Sequence, residues 1–105
     1  MEIRTAITAK PNAHVAIEWD DAAGQLLHSS IASVQSLPIH AGALRIGCTE
    51  AIWYAIGDNP TAVTTGASRF LPANAVEMTA ITPGHRIAVL QVSTVGTVSV
   101  IPAKP

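Results

Sequence analysis

This chain has little reactive or strongly polar chemistry. It carries one cysteine, four histidines, six basic and seven acidic side chains, and two Trp, one Tyr and one Phe among 105 residues. The single Cys48 excludes an intramolecular disulfide framework and a cysteine-rich zinc site, and fits a reducing compartment. A net charge of −1 supplies no basic stripe to neutralise phosphates. Neither direct nucleic-acid binding nor polybasic attachment to a membrane is therefore expected. No apolar run approaches the roughly 18 residues of a membrane span. The opening Met1-Glu2-Ile3-Arg4-Thr5 has no apolar stretch of the secretory type. The expectation is one small soluble domain.

What the chain does have is β-branched side chains. Val, Ile and Thr make up 30 residues, and these types favour strands. The seven Gly and seven Pro are scattered between apolar runs and do not cluster as in a linker. Alternation predicts strands over residues 3–8, 14–19, 75–82, 85–92 and 97–101, with short apolar runs at 44–48 and 51–56. The stretch 25–36 is ambiguous, because Ile31 and Val34 also suit a helical turn. Asp20-Asp21-Ala22-Ala23-Gly24 and Pro83-Gly84 read as turns, and 57–68 as a long connection. About eight strands at this spacing predict an all-β, jelly-roll-like antiparallel β-sandwich, with an immunoglobulin-like sandwich as the alternative. One domain is expected over 1–105, with 1–11 as an N-terminal arm. Only 12% of residues are charged while 49% are hydrophobic. A surface so poor in charge predicts that another chain covers part of it.

The search for catalysis finds no constellation. His14, His28, His40 and His85 share no i, i+2 or i, i+4 spacing, and so form no metal motif. Pro83-Gly84-His85 resembles the start of a cupin His-x-His motif, but Ile87 stands where the second histidine belongs. The carboxylates Glu2, Glu18, Asp20, Asp21, Glu50, Asp58 and Glu77 form no pair that sequence can place across a cleft. Asp58-Asn59 suits a polar turn better than the six to eight oxygens calcium takes. Cys48 reads as an inert thiol at a strand end, and no phosphate-binding or nucleophile-elbow motif occurs. No catalytic, cofactor or metal residues are expected. Trp19 and Phe70 are expected in the core. Trp53 and Tyr54, adjacent in a strand, must point to opposite faces.

The run Ala51-Ile52-Trp53-Tyr54-Ala55-Ile56-Gly57-Asp58-Asn59-Pro60-Thr61-Ala62 is similar to a segment of small structural proteins of tailed phages. It is followed in the same order by Phe70-Leu71-Pro72-Ala73, Glu77, Pro83-Gly84-His85-Arg86-Ile87-Ala88-Val89-Leu90 and Gly96-Thr97-Val98-Ser99-Val100. The resemblance covers residues 48–101. It points to jelly-roll decoration, or cement, proteins of the capsid. It implies a non-enzymatic virion protein, made in the host cytoplasm, that sits on the capsid surface. Its partners would be the major capsid protein and further copies of itself, as a homodimer or homotrimer. On this reading the contacts are expected at Trp53, Tyr54, Asp58, Asn59, Pro60 and Arg69, with the arm 1–11 and the loop 57–68 reaching between subunits. The alternatives are a tail, neck or fibre-attachment component, or a carbohydrate-binding module using Trp53 or Tyr54.

Overall fold

The computed structural model describes residues 17–104. The predicted strand 3–8, the arm 1–11 and the first part of the predicted strand 14–19 lie outside them. Among the described residues eight strands form: β1 (Gln25–His28), β2 (Val34–Gln35), β3 (Ala43–Cys48), β4 (Ile52–Gly57), β5 (Arg69–Leu71), β6 (Val76–Ala80), β7 (Arg86–Gln91) and β8 (Thr97–Pro102). Every pairing is antiparallel, and the strands divide into two sheets ordered β1-β8-β3-β6 and β2-β7-β4-β5.

That order is a jelly roll. β1 pairs with β8, β2 with β7, β3 with β6 and β4 with β5, so the chain is one long hairpin folded at β4–β5 and rolled up. The β3–β8 and β4–β7 pairings join successive turns of the roll. An immunoglobulin sandwich would seat its first strand beside its second. Here β1 lies beside β8.

Alternation builds the core. In β3, Leu44, Ile46 and Cys48 point inward, opposite Val98 and Val100 of β8. The facing sheet contributes Ile52 and Tyr54 from β4, Ile87 and Val89 from β7, and Leu71 from β5. Ile39, Ala41 and Ile81 close one end from the connections. The buried hydroxyls are paired at strand ends. Ser29 Oγ accepts from Gly96 N at 2.8 Å, and Ser36 Oγ accepts from Ile87 N at 3.1 Å. Apolar residues thus fill the space between sheets, and these two hydroxyls keep partners, whereas Gln91 Oε1, opposite the buried Ile52, is buried without one.

Turn chemistry sets the ends. His85 N donates to Thr82 O at 3.0 Å around Pro83-Gly84, and Gly84 has φ 92°. Proline then glycine at positive φ makes a type II turn, which any larger residue would strain. Gly96 answers a different need. A Cβ there would lie 2.8 Å from Glu50 Cβ, where the β7–β8 and β3–β4 turns touch.

Several sequence expectations change. The stretch 25–36 divides into β1 and a two-residue β2, with no helical turn between them. Of the predicted strand 14–19, the described part forms only a single bridge, Trp19 to Ala103. β5 was not foreseen, because three residues are too few to show alternation. Phe70, expected in the core, faces outward and is 49% exposed.

Candidate interaction surface

The register of β4 separates Trp53 from Tyr54. Tyr54 is fully buried between the sheets, and its hydroxyl donates to the Glu77 carboxylate on β6. The Arg69 guanidinium lies 5.8 Å from the centre of the Tyr54 ring, and Arg69 Nη1 donates to Thr79 Oγ1 at 2.9 Å. These groups join β4 and β5 of one sheet to β6 of the other along one open side of the sandwich. Burial, and after it the hydrogen bond to Glu77, pushes the Tyr54 phenol up, while Arg69 pulls it down. Tyr54 is a core staple with no surface to offer a partner.

Trp53 stands on the outer face. Its cross-strand neighbours there are Phe70 on β5 and Leu90 on β7. The Trp53 and Phe70 rings are 5.3 Å apart and tilted by 60°. Such an offset, tilted pair gains contact beyond its buried area, yet it leaves half of Phe70 in water.

The other half of the same face is already occupied. The β4–β5 connection turns back over its own sheet, where Gln35 Nε2 donates to Asn59 Oδ1 at 2.8 Å and to Pro60 O at 2.7 Å. Arg86 Nη1 donates to Gln35 Oε1 at 3.3 Å, and Ala62 N donates to Ser33 Oγ at 2.9 Å. Pro60 and Ala62 are buried, and so is Ala88, which faces outward between Gln35 and Ala55. Of the six residues expected at contacts, Asp58, Asn59 and Arg69 are exposed, Trp53 is half-buried, and Tyr54 and Pro60 are buried. They do not form one cluster: Tyr54 and Arg69 share the β5–β6 side, Trp53 the outer row, and Asp58, Asn59 and Pro60 the strap. Besides Asp58, Asn59 and Thr61, the exposed part of the connection is its tip, residues 64–67.

The outer face of the second sheet is also apolar. Leu26 on β1 and Val76 and Met78 on β6 are each more than half exposed, and Arg45 is the only Lys, Arg, Asp or Glu pointing outward from this sheet. Gly47 in mid-β3 leaves a shallow depression of about 280 Å³ between Thr49, Asn74, Val76, Thr97 and Ser99. Cys48 points the other way; its thiol donates to Pro72 O at 3.1 Å, and burial is the main cause that pushes its pKa up. Among the described residues no three His, Cys, Asp or Glu side chains converge as metal ligands would. His85 forms an isolated bridge with Ile39 at the start of β7.

Met78 and Gln35 contribute to these surfaces without having been singled out from sequence, and Phe70 contributes although it was expected in the core. For Glu77 there was a signal. It is the lone charge in a strand, Val76-Glu77-Met78-Thr79-Ala80, whose alternation puts it on the same face as the buried Ile46. The chain matches no protein-family model, no curated protein and no solved structure.

Proposed function

We propose that this protein is a non-enzymatic virion structural protein, a capsid decoration or cement protein that bridges capsomers through the outer faces of its sandwich. The observation that carries this reading is the Phe70–Trp53–Leu90 row, apolar and partly exposed, beside a half-face the protein seals with its own connection. A chain that covers one part of a sheet and leaves aromatics bare on the rest has a surface suited to a protein contact. The jelly roll, the sparse charge and the sequence resemblance over 48–101 support the same reading. Cementing a shell requires interface area repeated around it, and no reactive group.

The test is co-sedimentation with purified tailed-phage capsids. The wild-type chain is expected to pellet with the shell. Trp53→Ser with Phe70→Ser, which leaves the Tyr54 staple untouched, should weaken binding by at least about tenfold, as loss of aromatic anchors does. Failure of the wild-type chain to pellet with any capsid rejects the reading. Unchanged binding by the double variant removes this row from the contact. Sugar-dependent quenching of Trp fluorescence would favour a carbohydrate-binding module instead. The 60° tilt between the rings argues against that, since it offers no flat platform for a sugar ring.

A further inference from the structure

We propose that the connection between β4 and β5 is a removable cover: residues 58–63 lift off the outer face of the β2-β7-β4-β5 sheet and lengthen the apolar row of Trp53, Phe70 and Leu90. This deepens the reading above by naming what regulates that face, and its partner half rests on that reading.

The contact under the strap is separate from the core. Among the described residues, Ala62 and Ala88 are buried yet stand outside the apolar cluster between the sheets. Pro60 is buried with them. These side chains are small, and burying them stabilises the contact far less than the Leu, Ile and Val side chains stabilise the core.

The polar grip is as thin. Among the described residues no main-chain bond joins 58–67 to either sheet, and the bond from Ser68 N to Thr65 O stays inside the strap. Two side chains hold it. The Gln35 amide donates to Asn59 Oδ1 and Pro60 O, and Ser33 Oγ accepts from Ala62 N. Gln35 itself belongs to β2, which is only two residues long. A segment with few apolar contacts and hydrogen bonds within reach of water opens at a lower free energy than the domain unfolds.

The ends of the strap stay in place. Gly57 pairs with Arg86 and Arg69 with Tyr54, so the connection leaves from and returns to paired strands, and lifting it breaks no ladder. The uncovered floor is continuous with the bare row. Ala55 follows Trp53 on the outer face of β4, and Ala88 precedes Leu90 on that of β7. Lifting also frees Gln35 Nε2, beside Arg86, which donates to Gln35 Oε1. A partner that lays a small apolar side chain on Ala88 and an acceptor oxygen on Gln35 repeats the contact the strap makes. Closure competes with that partner, so apparent affinity falls with the fraction of chains that are open.

The test begins with the free chain. In Ala88→Cys the introduced thiol lies under the strap, while the native Cys48 lies between the sheets. Labelling rates with a small thiol reagent, each divided by the rate of the same thiol in urea, should differ by at least about a hundredfold, the introduced thiol being faster. A common rate means that only global unfolding uncovers the face, and overturns the proposal. Because the larger side chain can itself prop the strap, hydrogen exchange at the wild-type Ala62 amide is the second readout. It should be at least about tenfold slower than in an unstructured peptide and at least about a hundredfold faster than in β3. Exchange as slow as in β3, or without protection, overturns the cover. Ser33→Cys with Ala62→Cys then locks the strap, since Ala62 N lies 2.9 Å from Ser33 Oγ. Oxidised, this chain should bind tailed-phage capsids at least about tenfold more weakly than the same chain reduced. Equal binding overturns the regulation of the row and leaves decoration standing. If the wild-type chain binds no capsid, the decoration reading falls, and the free-chain rates still decide whether the strap is a cover.

Discussion

Tyr54 and Glu77 show how one residue pair can serve both packing and solubility. Glu77 points inward from a strand at the sheet margin, a placement that discourages uncontrolled edge pairing. Tyr54 makes that placement tolerable by donating its hydroxyl to the carboxylate. Tyr54→Phe is expected to cost about 1 kcal/mol at neutral pH, as loss of one hydrogen bond does. The pH dependence has a definite sign. The folded chain holds the phenolic proton above the usual value of 10.0. That contribution is complete below the ordinary tyrosine range and is lost as pH rises through the raised value. Cys48, raised from 9.0, adds a contribution of the same sign. Denaturation midpoints should therefore fall on the alkaline side, and the Tyr54→Phe chain should show a shallower decline than wild type. Parallel declines in the two chains would show that Tyr54 is not responsible.

Among the elements, the strap between β4 and β5 departs most from expectation. Loop 57–68 was expected to reach between subunits, and its polar composition supports an exposed loop. Instead Pro60 and Ala62 are buried, because Gln35, far away in sequence, supplies an amide that binds Asn59 and Pro60. Gln35→Ala removes two donated bonds and the one accepted from Arg86. The expected cost is about 1–2 kcal/mol by denaturant titration, as expected for losing partly exposed hydrogen bonds. Hydrogen exchange at the Ala62 amide should accelerate more than exchange in β3 and β8. Uniform acceleration would mean that the strap does not open as a unit. β5 shares this tertiary origin: three residues form a strand because Trp53 and Tyr54 present a partner edge.

At the scale of the whole molecule the jelly roll is built from distant pairings. Among the described residues, only β4–β5 of the six strand pairs joins consecutive strands. Closing such loops costs chain entropy before contacts repay it, so folding should be slow for a domain of this size. Refolding followed by Trp fluorescence is expected in roughly the millisecond-to-second range. A phase complete within microseconds would contradict the importance of these non-local pairings. Charge acts at the same scale: few charged side chains on two outer sheet faces leave apolar groups that an assembly can cover.

Residue types and their two-residue period were enough to determine the all-β class, the strands at β7 and β8, the Pro83-Gly84 turn and the opposite facing of Trp53 and Tyr54. Those features depend on neighbours in the chain, and local sterics decide them. Tertiary structure alone decided the rest. It set which strands were neighbours, turned Phe70 outward, bound the strap to Gln35 and brought Glu77 to Tyr54. Each of those outcomes depends on a partner at least seventeen residues away. The energy of such contacts exists only once the roll has closed, so no local pattern records it.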